Sequence, residues 1–279
     1  MLDSDLIPQN PLIPKPLVCA VSYLNTVPLV WGLEHGPQRG RARLEYALPS
    51  ACADRVRAGS ADIGILPVIE IERQRLEWLP GTGIACRGPV RSILLLSKVP
   101  LARVRTLAAD IGSRTSVMLA RILLAERHGA VPSILPAPAG LEMLEYADAA
   151  LIIGDPALLL DPAVLGLQYE VLDLGEEWMR HTGLPMVFAL WAGRPENLTP
   201  GLAAMFVESC RYGLGRIGDI VQAACPPRGI PQDLGRRYLT HHIAFELTER
   251  DYAGMRAYLK CAREFDTLRM STSTGNVSV

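Results

Sequence analysis

Ser92-Ile-Leu-Leu-Leu-Ser97 and, after a linker, Asp110-Ile-Gly-Ser-Arg-Thr-Ser116 set the frame for everything around them. The first is a short apolar run that reads as a buried strand. Beyond the second, Val117, Leu119, Ile122, Leu123 and Leu124 fall close to helical spacing, and the pattern stops at His128-Gly129. This predicts a helix over 113–128 with Ser113 to Ser116 as its first exposed turn. The first amide hydrogens of a helix lack partners and the macrodipole places about half a positive charge there, so hydroxyls and a guanidinium at that end suit a carboxylate or phosphate. Ser113 alone is an ordinary N-cap. A cap needs one hydroxyl, however, and Ser113, Thr115 and Ser116 offer three with Arg114 between them.

Towards the N-terminus, Leu17-Val-Cys-Ala-Val21 reads as a buried strand running into Ser22-Tyr-Leu-Asn-Thr26-Val-Pro28, with Pro28 near a helix start. Such turns at the carboxyl ends of strands are where open α/β sheets bind ligands. Asn25 there fits a turn or N-cap as readily as a ligand contact. Leu44-Glu-Tyr-Ala-Leu48 is a second strand, Pro49-Ser50 opens a helix closed by Gly59, and Asp62-Ile-Gly-Ile-Leu-Pro67 is a third strand followed by Val68 to Arg75. Three strand-to-helix junctions thus offer polar groups at one end of a sheet. Trp78 to Cys86 is a further strand. Lys98 to Thr106 breaks the pattern, after which a second series runs: helix 113–128, strand 134–136, helix 141–146, strand 149–153. Gly154-Asp155-Pro156 is a tight turn in which Asp155 is placed to cap a helix beginning at Pro156, a job that accounts for it without a ligand. Strand 169–172, helix 174–181 and the apolar strand Met186 to Trp191 follow, then helices over 202–217, 219–224, 232–239 and 248–265.

Strands alternating with helices imply mostly parallel, helix-covered sheets. Two such series, with a late strand returning to the first, imply a two-lobed α/β protein. The boundaries read are 16–97 with 194–268 for one lobe, 98–193 for the other, crossovers near 98–108 and 188–194, and flexible termini at 1–15 and 271–279. A ligand is expected between the lobes, with hinge closure around it.

The composition bounds the partner. With 279 residues and a net charge of −1, the chain has no basic face for nucleic acid or an anionic membrane, which leaves a small molecule. Oligomeric state is not encoded in any recognisable pattern. The six cysteines are scattered without a CxxC pair or histidines at ligand spacing, and read as reduced thiols rather than zinc ligands or disulfides. No apolar run approaches the ~20 residues that span a bilayer. Residues 1–16 show no secretory signal, so a cytoplasmic protein is expected.

Six blocks together carry a resemblance: Ser22-Tyr-Leu-Asn-Thr26, Arg87-Gly-Pro-Val-Arg-Ser92, Leu95-Leu-Ser-Lys-Val-Pro100, Ser113-Arg-Thr-Ser116, Ile153-Gly-Asp-Pro156 and Gly183-Leu-Pro185. In this order they resemble the chorismate dehydratases of the futalosine route to menaquinone, from about Val18 to Trp191 and more weakly to Phe265. The resemblance implies a type II periplasmic-binding-protein-like fold and removal of water from chorismate to give 3-[(1-carboxyvinyl)oxy]benzoate, without metal or organic cofactor. It also implies that the substrate's own enolpyruvyl carboxylate takes the proton. Asn25 would then orient the reacting ring or leaving hydroxyl, and Ser92 would hydrogen-bond a carboxylate or that hydroxyl. Tyr23, Ser50, Glu70, Gly154 and Asp155 would line the pocket, and Ser113, Arg114, Thr115 and Ser116 would hold the dianion. The sister enzyme that forms dihydroxynaphthoate is similar in fold but relies on a histidine, and all five histidines here (His35, His128, His181, His241, His242) lie outside the blocks. A solute-binding protein would share the fold but is expected to carry a secretion signal. A ligand-sensing regulator is expected to carry a basic helix-turn-helix, for which the sequence leaves no room.

Overall fold

The computed structural model describes residues 15–110 and 112–274. In chain order the strands are β1 (Leu17–Val21), β2 (Arg43–Ala47), β3 (Ile63–Pro67), β4 (Glu77–Cys86), β5 (Ile93–Ser97), β6 (Thr106–Asp110), β7 (Ser133–Ala137), β8 (Ala149–Ile153), β9 (Glu170–Asp173), β10 (Met186–Gly193) and β11 (Ala244–Glu246). The helices are α1 (Val27–His35), α2 (Pro49–Ala58), α3 (Val68–Gln74), α4 (Arg114–His128), α5 (Met143–Tyr146), α6 (Gly154–Leu159), α7 (Pro162–Leu165), α8 (Leu174–Thr182), α9 (Pro200–Leu214), α10 (Ile217–Ala224), α11 (Gln232–Arg237) and α12 (Glu249–Thr274).

These strands form two sheets, ordered β11-β4-β10-β3-β1-β2 and β7-β6-β8-β5-β9. Apart from the short β11 the two orders are the same: second, first, third, incoming, fourth. The incoming strand is β10 in one sheet and β5 in the other, each the first strand after the chain crosses over. Every residue of β3, β5, β8 and β10 is buried, as befits central strands with apolar side chains on both faces. The outer strands β2 and β7 keep exposed positions. Trp191 of β10 stacks on Phe206 of α9 with ring centroids 4.2 Å apart, and the Trp178 indole donates to the Pro185 carbonyl at 3.1 Å while meeting Tyr258 of α12 edge-on. Such aromatic pairs tie the C-terminal helices to the first sheet and to α8.

The two-lobed α/β architecture stands, with corrections in detail. The sheets are mixed rather than mostly parallel: β1 runs parallel to β2 and β3, and β6 to β7 and β8, but β10 is antiparallel to β3 and β4, and β5 to β8 and β9. A strand that has just crossed over enters its new sheet from the opposite end, so it pairs antiparallel. The membership of the sheets therefore changes within 87–92 and 174–185, and not at 97/98 and 193/194: β5 belongs with the second series and β10 with the first. Two strands escape the sequence pattern. Thr106–Asp110 contains two alanines and a single large apolar residue, which carries no strand period, and Ala244–Glu246 is only three residues long. Helix α12 continues through residues 271–274, expected to be flexible; the rest of the expected flexible ends, 1–14 and 275–279, lies outside the described residues.

Candidate active site

Between the sheets lies a cleft whose empty space, open solvent at its mouth included, comes to about 540 Å³. Its walls are the carboxyl ends of β1, β3 and β8 (Val21, Pro67, Ile153), the turns that follow β1 and β8 (Tyr23, Asn25, Gly154), the crossover into β5 (Val90, Ser92), and the start of α4. Ile84, Phe188 and Ala189 form an apolar floor. Ligands of open α/β sheets sit at such strand ends. Among the described residues lining this cleft, Arg114 is the one charged side chain.

The start of α4 faces inward, with Ser113, Thr115 and Ser116 all buried. The Ser113 hydroxyl makes no capping bond to its own helix, so the hydroxyl excess noted in the sequence is available to the cleft. Thr115 is tied from two sides: its Oγ1 accepts from the Ile69 amide at 3.5 Å, and its carbonyl accepts from the Tyr258 hydroxyl at 3.0 Å. Arg114 is otherwise engaged. Its guanidinium donates to Asp54 at 2.9 and 3.1 Å and to Glu70 at 2.9 Å. Burial works against its charge, but the two carboxylates outweigh burial and hold it protonated. The cation is thus largely neutralised, leaving amide dipoles and hydroxyls as the groups free to meet an anion.

Two further lining residues, Asn25 and Ser92, come together at one tyrosine. Asn25 Nδ2 donates to the Tyr238 hydroxyl at 3.1 Å, and Ser92 Oγ lies 2.8 Å from that same oxygen. Burial raises the Tyr238 phenol well above its ordinary range, so its proton stays on. Asn25 Oδ1 is buried with no protein partner. Tyr23 covers the turn at Gly154, whose φ of +67° and lack of a side chain let the ring pack against the backbone. Burial, with Asp110 and Asp155 nearby, raises the Tyr23 phenol as well.

Three sequence candidates stand elsewhere. Asp155 does not cap its own helix: it accepts the Leu24 amide at 2.9 Å and pairs with Arg228 at 3.3 Å, tying α6 to the turn after β1. Burial nevertheless raises its carboxyl. Ser50 is not among the cleft residues; its amide donates to the Gly112 carbonyl at 3.2 Å and anchors α2. Glu70 sits behind the cleft wall as the partner of Arg114 rather than in it. Tyr238 was not singled out from sequence, since a tyrosine inside a helical stretch carries no motif. Among the described residues no group of three or more His, Cys, Asp or Glu converges as metal ligands do.

A family model described as menaquinone biosynthesis matches residues 16–264. The chain belongs to this menaquinone biosynthesis family. Within curated proteins, it is 31% identical over 252 residues to the chorismate dehydratase of Thermus thermophilus, covering 85% of this chain and 91% of that one. In fold it is similar to a crystal structure of a protein from Archaeoglobus fulgidus (14% identity, TM-score 0.69, 91% and 98% of the two chains). It is also similar to the periplasmic aliphatic sulphonate binding protein SsuA from Escherichia coli (15% identity, TM-score 0.62, 92% and 89%). At these identities the likeness is one of fold alone, and it is the periplasmic-binding-protein fold. No described helix is long and apolar enough to cross a membrane.

Proposed function

We propose that this family member removes water from chorismate to give 3-[(1-carboxyvinyl)oxy]benzoate. The observation that carries the reading is the relationship, across most of both chains, to the Thermus thermophilus chorismate dehydratase. The cleft supports it chemically. Chorismate is a dianion, and the walls present the α4 amide end, three buried hydroxyls and no acidic side chain among the described lining residues. The proton to be lost sits on the ring carbon bearing the enolpyruvyl ether. Its removal sends an electron pair through the neighbouring double bond into the ring carboxylate; the resulting dienolate expels the adjacent hydroxyl and the ring becomes aromatic. The substrate's enolpyruvyl carboxylate receives the proton and passes it to the departing hydroxyl, which leaves as water while the carboxylate is regenerated. Aromatisation makes the step steeply downhill, so the protein's work is to hold the ring, stabilise charge on the ring carboxylate and orient the leaving hydroxyl.

In this reading the α4 start, Ser113 to Ser116, receives a carboxylate, Asn25 orients the leaving hydroxyl, Ser92 hydrogen-bonds a carboxylate or that hydroxyl, and Tyr23 flanks the ring. None of the five histidines lines the cleft, which counts against the histidine-dependent sister reaction. The test is to incubate the purified protein with chorismate and follow the product by mass. The expected product is one water lighter, with the ultraviolet signature of a benzoate. Asn25→Ala is expected to lower kcat on the order of a hundredfold or more, as loss of an oriented polar contact at a reacting centre does. Retention of chorismate unchanged, with saturable binding, would instead make this a solute-binding protein, the role its fold has in SsuA. Near wild-type turnover by a folded Asn25→Ala protein would remove Asn25 from the mechanism.

A further inference from the structure

The bonding around Tyr238 has a direction. Asn25 Nδ2 can only donate, and it donates to the Tyr238 oxygen at 3.1 Å. Tyr238 is 1% exposed, so no bulk water takes its proton. The remaining partner is Ser92 Oγ at 2.8 Å, where either oxygen can donate; the arrangement that leaves no buried phenol proton unpaired has Tyr238 donating and Ser92 accepting. Ser92 then keeps its own proton, and Asn25 keeps its Oδ1, buried and without a protein partner. Both residues line the cleft, whereas Tyr238 stands behind them.

We propose that Tyr238 is a positioning residue that fixes the polarity of the site, making Ser92 a hydrogen-bond donor and Asn25 Oδ1 an acceptor towards the ligand. That pattern fits a ligand with an oxygen acceptor, such as a carboxylate, next to a hydroxyl that donates. An undirected asparagine–serine pair would rotate to suit either. The inference deepens the reading of Asn25 and Ser92 given above and rests on it.

A second observation comes from the backbone. Tyr238 opens a π-helical turn, Tyr238–His242, directly after α11. Turns of this kind give up regular α-helical bonding and are found disproportionately at functional sites. One turn earlier, Gly235 lies so close to its neighbours that an added Cβ would stand 2.3 Å from Cys225 Sγ and 3.5 Å from Leu24 Cδ2. The missing side chain lets α11 settle onto the Leu24–Asn25 turn and carries Tyr238 to Asn25. Burial, which keeps the phenol neutral, preserves the proton that the arrangement needs.

The test is a kinetic cycle on the full chain with chorismate, using Tyr238→Phe, Ser92→Ala and the double variant, with Asn25→Ala alongside. Tyr238→Phe keeps the ring and removes only the hydroxyl. It is expected to lower kcat on the order of tenfold, with KM little changed, because the loss is in orientation rather than in a contact with substrate. In the Ser92→Ala background the same change is expected to cost clearly less, because only the hold of Tyr238 on Asn25 is left to lose. Equal, independent losses in both backgrounds would mark Tyr238 as merely structural and overturn the proposal. Wild-type kcat in Tyr238→Phe, with Asn25→Ala and Ser92→Ala both inactive, would overturn it too while leaving the site reading intact. Wild-type kcat in both of those single variants would sink the site reading and the proposal together. Should Tyr238→Phe not fold, fluorotyrosine at 238 keeps the shape and changes the hydroxyl's donor strength. A kcat shifted about twofold or more supports the proposal, and an unchanged one overturns it.

Discussion

Gly154 shows how much one residue decides. Its φ of +67° lies where side chains are strained, and an added Cβ would stand 2.6 Å from the Tyr23 ring. Gly183 has a similar φ of +71° but nothing within 4 Å of the same position. The pair separates backbone strain from displacement of the ring. Gly183→Ala is expected to cost about 1 kcal/mol of stability and leave KM unchanged, whereas Gly154→Ala should cost about 1–3 kcal/mol and raise KM several-fold by pushing Tyr23 into the cleft. Urea unfolding and steady-state kinetics on both variants check this; equal KM values for the two would mean Tyr23 does not shape the substrate site. At this scale the sequence was partly legible. As residues of the cleft wall, Asn25 and Ser92 are recognisable through the blocks that contain them, and Ser113 to Ser116 through an excess of hydroxyls; their roles towards a substrate are proposals. Asp155 was misread because a capping position is a local inference, while its partners, Leu24 and Arg228, come from 131 residues before and from the C-terminal helices. Tyr238 was invisible for the same reason: its role exists only once three distant segments meet.

Among the elements, α12 illustrates a helix start that does more than begin a helix. Thr248 and Asp251 form a reciprocal cap, with the Thr248 amide and hydroxyl both donating to Asp251 Oδ2 at 2.7 Å and the Asp251 amide donating to the Thr248 carbonyl at 3.0 Å. The same carboxylate accepts two bonds from Arg87, at 2.8 and 3.1 Å, in the first crossover between the sheets. Burial alone would raise the Asp251 carboxyl, but the bonds from Arg87 and Thr248 prevail and hold it below the usual carboxylate range. A carboxyl depressed on folding adds stability above its unfolded pKa of about 3.9, and that stability is lost as pH falls through the folded value. Asp251→Asn, which keeps the size and one acceptor, is therefore expected to cost about 2–3 kcal/mol at pH 7. This is less than the ~3–5 typical of a fully buried pair because Arg87 stays half in solvent. The gap to wild type should close below about pH 4; a gap constant with pH, measured by urea unfolding, would show that packing and not charge is responsible. The start of this helix at Thr248 was legible from the sequence, as were α4 and most strands. The strand β6 was not, because its Leu-Ala-Ala core takes its burial from the sheet rather than from its own hydrophobicity.

For the whole molecule, the two-lobed plan could be read from two successive strand–helix series, but the pairing of β5 and β10 could not, since nothing in a strand's sequence says which neighbour it will join. The described structure holds the lobes together through a few polar ties. Asp155 of the second-sheet side accepts the Leu24 amide and meets Arg228, the Tyr258 hydroxyl of α12 donates to Thr115, and Arg114 at the start of α4 reaches Asp54 of α2 and Glu70 of α3. Of these ties, the Arg114 pair is the one made through a side chain that itself lines the cleft, and we propose that it couples closure to the substrate. Asp54 is not among the cleft residues, and Asp54→Asn weakens the tie without touching the binding wall. Losing a partly exposed ion pair of this kind is worth about 0.6 kcal/mol, which lowers the closed population and weakens apparent chorismate affinity about threefold. Small-angle scattering should show a larger radius for the free variant that returns to the wild-type value on saturation with substrate. The opposite outcome is equally readable: if Asp54 serves to hold Arg114 away from the ligand, removing its charge frees the guanidinium and affinity rises instead. A threefold loss accompanied by expansion assigns Arg114 to closing the cleft, and a gain in affinity without expansion assigns it to gripping the dianion.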